Sequence, residues 1–266
     1  MELRGARRSY ESTFEYSMFL ACRGSAVRPT SCVIIMILSL LTTLPFQISQ
    51  ALASGEPCFL DTHEWRAVPD GLVEFPLLPR SSEQYHVIFG HFAAIPGFLS
   101  RSKQISTEIS DIRRLHLASH GCRIRQDIKQ WYHDYVSDGN RLKDPTIVHL
   151  PPDYDDFPFP YIYGYRDVLS ASLITTYYAY LIILNKEIDR LRSQEQLHEE
   201  NSELAKAICM SADCCLRGGY CGTQVLKFSL PVAHSVLPVK YHGWVDRWLS
   251  AVSDNSQMTL VQRLHP

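Results

Sequence analysis

The sequence predicts an all-α fold, an irregular array of helices with a crossing segment rich in proline and aromatic residues. Apolar residues recur at spacings of three and four over long stretches, as they do on one face of a helix. Strand-like alternation is nowhere sustained, and the sequence shows no fixed internal period. With 45% apolar and 20% charged residues, this 266-residue chain has a globular composition. We expect a single helical domain, 1–266.

The N-terminal part predicts two helices. Apolar residues over 8–22 favour a helix that stops at Gly24, and the almost wholly apolar run 32–44 favours a second one, bent at Pro45. "ALA" at 51–53 resembles a signal-peptidase site. However, the run is shorter than the roughly 20 residues that span a bilayer, and polar residues at helical spacing line one side of it. These two properties favour a helix of the fold, and secretion after cleavage near Ala53 is the alternative.

An irregular connection and two further helices follow. Glycines and prolines over 55–79 indicate the connection. After Ser81, aromatic residues at helical spacing predict a helix that Pro96 and Gly97 kink or end. The next helix has the clearest spacing in the chain, with Gly121 weakening its centre. Its apolar stripe consists of Ile105, Ile109, Ile112, Leu115, Ile124, Ile128, Trp131 and Tyr135.

The segment 138–160 contains five prolines and therefore predicts an irregular surface crossing. Its aromatic residues predict that it packs against the helices, and a subdomain break near 138–165 is the alternative to one domain. The next run, 168–191, is apolar on nearly all sides, which is typical of a central helix.

Three helices are predicted to complete the fold. The first carries apolar residues from Leu204 to Cys215 and is expected to end at Gly218 and Gly219, as a glycine C-cap would end it. The other two are predicted to begin near Thr223 and His242.

Composition argues against several functional classes. The net charge of −2 gives no field that would draw the chain onto a phosphate backbone, so we expect no direct DNA binding. The eight cysteines lie mostly in apolar stretches, so we interpret them as reduced core thiols and not as a secreted disulfide framework.

Three constellations could carry chemistry. Cys209, Cys214, Cys215 and Cys221 could hold zinc, but buried free thiols are the simpler interpretation. His116 and His120, with Cys122 nearby, have metal-ligand spacing but lack further identifiable ligands. Asp153, Asp155 and Asp156 lie among prolines, where a solvated loop is expected instead of a magnesium site. We therefore predict no catalytic, cofactor-binding or metal-binding residue, and no cofactor.

Several short motifs follow one another in a recognisable order. Arg23 and Gly24 are predicted to close a helix, and "FLDTHEWR" follows at 59–66. "FPFP" at 157–160 leads into the apolar helix that contains 178–184. The last elements are Ala207, Ile208, Cys209 and Ser211, then Phe228, Leu230, Pro231, Val232 and Ala233. In this order the motifs resemble the regulatory domain of fungal binuclear zinc-cluster transcription factors.

The resemblance covers essentially the whole chain, with two departures. The family's DNA-binding module needs six closely spaced cysteines, whereas Cys22, Cys32, Cys58 and Cys122 are dispersed. A mid-domain helix also follows Met1 almost at once, so the resemblance implies a truncated regulator. Whether an N-terminal zinc-cluster exon belongs to the protein is a question the sequence leaves open.

The resemblance implies a non-enzymatic regulator of transcription in the nucleus. Its expected partners are the transcription machinery or a full-length zinc-cluster paralogue, with a small-molecule inducer as a further ligand and no membrane association. The alternative is a helical small-molecule-binding or catalytic protein of secondary metabolism that shares only the fold. Aromatic rows between the helices could line its pocket, although an ordinary core is the simpler interpretation.

Overall fold

A computed structural model describes residues 47–62, 81–105, 111–137, 145–150, 157–193 and 196–253. Helices dominate these residues, which confirms the all-α prediction. The helices are α1 (47–54), α2 (Ser81–Lys103), α3 (Asp111–Ser137), α4 (Val168–Arg192), α5 (His198–Leu216), α6 (Gly219–His234) and α7 (His242–Ser253). The helices predicted over 8–22 and 32–44, and the second half of the "FLDTHEWR" motif, 63–66, lie outside the described residues.

The chain divides into two compact units, Met1–His120 and Gly121–Pro266. The division falls within α3 and therefore lies upstream of 138–165, the break considered from the sequence. The prediction of one domain over 1–266 stays a prediction.

In the first unit, α1 ends at Gly55, whose φ of +74° is a conformation that glycine adopts without strain. The Gly55 N–H donates to the Ala51 carbonyl at 3.0 Å. A short 3₁₀ turn, Phe59–Asp61, then packs against α2. The helix α2 continues through Pro96 to Lys103, so Pro96 does not end it. Buried side chains of this unit include Ile48, Ile88, Phe92, Ile95 and Phe98.

The second unit is built around α4, as the sequence predicts. The helices α5 and α6 both pack against α4, and most side chains from Ala171 to Leu191 are buried. Asp167 caps the helix start by accepting a hydrogen bond from the Ser170 N–H at 2.7 Å. By length and composition α4 could also span a membrane, but most of its apolar window is buried inside the fold, as in a central helix. This property is therefore weak evidence for a membrane span.

The connection between α5 and α6 consists of Arg217 and Gly218 and differs from the predicted glycine C-cap. The residue after α5, Arg217, keeps right-handed helical geometry, and Gly218 stands before α6 with φ −75°. The positive φ of +61° belongs to Gly219, where α6 already begins. A Cβ at Gly222 would lie 1.7 Å from the Cys215 carbonyl oxygen. The two helix backbones therefore touch at Gly222. The helix α6 begins at Gly219, four residues before the predicted Thr223.

A two-stranded antiparallel sheet was not expected from the sequence. Strand β1 (Thr146–His149) pairs with β2 (Tyr161–Gly164), in a register that places Thr146 opposite Gly164 and His149 opposite Tyr161. Each strand has only four residues, too few to establish an alternating pattern between prolines. Strand β2 packs against α5.

The end of the crossing segment packs against the helices, which confirms that part of the prediction. The Phe157 and Trp244 rings meet edge to face with centroids 5.3 Å apart, and the Phe159 ring stacks on Tyr241 at 5.0 Å. These contacts attach the start of β2 to the start of α7.

The apolar stripe predicted for α3 is confirmed only in part. Ile124, Ile128 and Trp131 are buried, in agreement with the spacing. Ile112 and Leu115 are exposed, so the first turns of the stripe do not contribute to the core.

A candidate site at a buried polar cluster

A polar cluster lies at Asn185, a fully buried residue of the mostly apolar α4. Its side-chain oxygen accepts a hydrogen bond from Arg125 Nε of α3 at 2.7 Å. Its amide nitrogen donates to Asn201 Oδ1 of α5 at 2.9 Å and to Glu200 Oε2 at 3.2 Å. Asn185 thereby connects three helices through one side chain.

Glu200 completes this polar cluster, which we define as Arg125, Lys129, Asn185, Glu200 and Asn201. One Glu200 oxygen accepts from Arg125 Nη2, and the other accepts from Lys129 Nζ at 2.8 Å. The Glu200 side chain is 27% exposed and the Lys129 side chain 44% exposed, so the cluster extends from the core to the surface. Two cations and one carboxylate leave it with a net positive charge.

Electrostatics keep Glu200 ionised. Burial alone would raise the pKa of its carboxyl group, but hydrogen bonds and charges from Lys129 and Arg125 outweigh burial and lower that pKa. Glu200 also lies in the first turn of α5, where the helix dipole favours a negative charge.

An aromatic layer lies beside the cluster. The Tyr132 and Tyr177 rings stack with centroids 4.5 Å apart. Burial, the neighbouring Tyr178 and the Glu200 carboxylate all raise the pKa of Tyr177 well above its usual range. Tyr177 and Tyr178 are buried, so these aromatic residues fill core positions.

The polar cluster holds α3, α4 and α5 together through hydrogen bonds. The Asn185 amide donates to Glu200 and Asn201, and the Glu200 oxygens also accept from Arg125 and Lys129. A buried hydrogen-bond network whose groups are satisfied in this way makes a core rigid and specifies its packing. It offers a carboxylate held between two cations and contains no nucleophilic hydroxyl or thiol.

The cluster was missed in the sequence because its members are separated along the chain. Arg125 precedes Asn185 by 60 residues and Glu200 by 75 residues. The one local signal is Asn185 itself, a polar residue within a helix that is apolar on nearly all sides.

The cysteines that the sequence grouped are free thiols in the part of the chain that the structure describes. Cys209 and Cys215 are buried, and Cys214 is half-buried. Burial raises the pKa of Cys209 to about 12 and that of Cys215 to about 12. The hydrogen bond between Cys215 and Thr175 offsets this effect only in part. The side chain of Cys221 lies outside the described residues.

The histidine pair is on one helix but has separate surroundings. His116 is exposed, whereas the His120 ring meets Phe98 edge to face and its Nδ1 lies 3.3 Å from Arg101 Nη2. Cys122 accepts a hydrogen bond from Arg192 Nη2 at 3.0 Å. Within the described residues, no group of three or more His, Cys, Asp or Glu side chains is placed to hold a metal ion. Asp153, Asp155 and Asp156 lie outside those residues.

Comparison with known proteins gives no relative. Neither a protein-family model, nor a curated protein, nor a solved structure matches the chain.

Proposed function

We propose that the chain is a non-enzymatic regulator of transcription that works in the nucleus through protein partners. The observation that carries this proposal is the ordered set of motifs resembling the regulatory half of zinc-cluster factors, in a chain that folds as a helical array. The transcription machinery and a full-length paralogue with its own DNA-binding module are the partners that this resemblance favours.

The positions of the motif residues support the proposal. Ala207, Ile208, Cys209 and Ser211 are all buried on α5, where the family's motif would provide packing. Leu230 and Ala233 are buried on α6. Since these residues serve packing, the motifs bear on the fold more directly than on activity, and the function needs its own test.

The buried thiols weigh against the enzymatic alternative. A catalytic thiol needs access and a lowered pKa, whereas burial raises the pKa of Cys209 to about 12. Turnover of a substrate that is lost in Cys209→Ser or His116→Gln would favour that alternative.

The test combines chromatin occupancy with DNA binding by the isolated protein. We expect the tagged full chain to be enriched at particular promoters in cells, because its partners bring it there. We expect the purified full chain to bind DNA only weakly, because the net charge of −2 supplies no phosphate-binding field. Tight sequence-specific binding by the purified chain, or absence from chromatin, would contradict the proposal.

A further inference from the structure

The side chain of Ser193 is exposed at the C-terminal end of α4 and has no role in capping that helix. The backbone does the capping, since the Ser193 N–H donates to the Arg190 and Asp189 carbonyls. Within the described residues, Ser193 Oγ takes part in no hydrogen bond. By contrast, Ser235, in the same position after α6, accepts a hydrogen bond from Lys186 Nζ at 3.1 Å. Ser193 therefore presents its hydroxyl to solvent.

Ser193 also has an unfavourable backbone conformation. Its φ of +52° lies in the left-handed region, and among the described residues it is the only non-glycine residue with a positive φ. A residue with a Cβ is strained in this region, and helix ends fray. The last turn of α4 therefore opens more readily than a turn closed by glycine, which helps an enzyme to take up the hydroxyl.

Two arginines precede this hydroxyl. Arg190 and Arg192 lie in the last turn of α4, three and one residues before Ser193, and both are exposed. Arg190 Nη2 donates to Glu187 Oε1 at 2.6 Å, whereas Arg192 Nη2 donates to Cys122 Sγ at 3.0 Å. Protein kinases discriminate among substrates by the charge pattern around the acceptor. An exposed serine that follows two arginines suits a kinase with an acidic substrate groove.

We propose that Ser193 is a phosphorylation site, modified by an arginine-directed protein kinase with MgATP. Ser193 Oγ forms a bond to the γ-phosphorus of ATP, the bond from that phosphorus to the β,γ-bridging oxygen breaks, and ADP leaves. The hydroxyl proton passes to the catalytic carboxylate of the kinase. The product carries roughly two additional negative charges at the end of α4, whatever the role of the chain in transcription.

Arg192 is the main partner of the new phosphate. A phosphate at the C-terminal end of a helix is disfavoured by the helix dipole, so it needs a cation nearby. A guanidinium binds phosphate through charge-assisted hydrogen bonds, which are stronger than the bond that Arg192 donates to the weak acceptor Cys122 Sγ. Because Arg190 is paired with Glu187, Arg192 is the guanidinium that can turn fully to the phosphate.

The first test is phosphorylation of the folded full chain by a kinase that selects arginine three residues before its acceptor. Peptide mass spectrometry after reaction with MgATP is the readout. We expect phosphate on Ser193, and Ser193→Ala should remove it. Arg190→Gln should slow incorporation at Ser193 severalfold, because the kinase groove loses a cation that it selects. Both side chains are exposed, so both variants should keep the fold.

Ser250 is the matched internal control. It is exposed and also follows an arginine, Arg247, by three residues, but it lies within a helix, α7. In the folded chain, phosphate should appear on Ser193 severalfold faster than on Ser250. Proteolytic peptides that contain the two serines should differ less in rate, since neither is then held in a helix. Absence of phosphate on Ser193, or equal rates at the two serines in the folded chain, would overturn the proposal.

The role of Arg192 is checked by thermal unfolding of phosphorylated and unphosphorylated chains. Phosphorylation should lower the Tm of Arg192→Gln more than that of the unsubstituted chain. The reason is that glutamine lacks the charge that offsets repulsion between the phosphate and the helix end. Equal Tm shifts in the two chains would overturn the assignment of Arg192 as the partner of the phosphate.

Discussion

Asn185 illustrates how much one buried polar side chain can determine. It is fully buried, and its hydrogen bonds reach Arg125, Glu200 and Asn201 on the two neighbouring helices. Removing it would leave the half-buried guanidinium of Arg125 and the buried amide of Asn201 with incomplete hydrogen bonding, which costs more than the bonds themselves contribute.

We therefore expect Asn185→Leu to lower the free energy of unfolding by about 2 to 4 kcal/mol. Lys129→Gln is the matched control, since it changes the solvent-facing end of the same cluster and should cost less than about 1 kcal/mol. Denaturant unfolding followed by circular dichroism measures both values. Equal losses in the two variants would show that the buried amide has no special role.

Glu200 gives the cluster a defined response to acid. Because its pKa is lowered in the folded protein, its contribution is present above the unfolded carboxyl pKa of about 4.3 and disappears as the pH falls through the lower folded value. Glu200→Gln should flatten the loss of stability below about pH 4.5. Unfolding at a series of pH values checks this, and an unchanged pH slope in the variant would contradict it.

The thiols should differ in reactivity. Cys209 and Cys215 are buried with raised pKa values, whereas Cys122 is half-buried on α3. In the folded protein an alkylating reagent should modify Cys122 much faster than Cys209 or Cys215. Peptide mass spectrometry after brief labelling measures the three rates, with labelling in denaturant as the control. Similar rates in the folded protein would contradict the described burial.

The contact between α5 and α6 depends on Gly222. A Cβ there would lie 1.7 Å from the Cys215 carbonyl oxygen and 2.6 Å from the carbonyl carbon, so the helix backbones would have to separate. We expect Gly222→Ala to lower the free energy of unfolding by about 1 to 3 kcal/mol, in the range of overpacked cores.

Gly90→Ala is the control for that substitution. Gly90 is exposed on α2, and a Cβ there would meet no atom of the described residues within 4 Å. Because alanine favours helix over glycine, this variant should be neutral or more stable by up to about 1 kcal/mol. Thermal unfolding of both variants makes the comparison, and a stable Gly222→Ala protein would refute the close helix contact.

Helices whose signals are local were predictable from the sequence. The helix α4 is apolar on nearly all sides over seven turns, and only a central position satisfies such a surface. The β1–β2 hairpin was not predictable, since four-residue strands carry too little pattern. Pro96 shows that a proline alone does not predict where a helix ends, because α2 continues past it to Lys103.

The polar cluster was beyond sequence reasoning for a different reason. Its hydrogen bonds join residues up to 75 positions apart, and only the packing of α3, α4 and α5 brings them together. The sequence correctly favoured buried thiols for Cys209 and Cys215, because the apolar helical spacing around them is a local property.

The proposed regulatory function is tested most directly with a reporter gene. The full chain is fused to an unrelated DNA-binding domain whose binding site lies upstream of that gene. If the helical array recruits partners as proposed, reporter transcription should change severalfold relative to the DNA-binding domain alone. Gly90→Ala should keep this effect, and Gly222→Ala should weaken it as the fold loosens. A reporter that does not respond to the stably expressed full chain would contradict the proposed function.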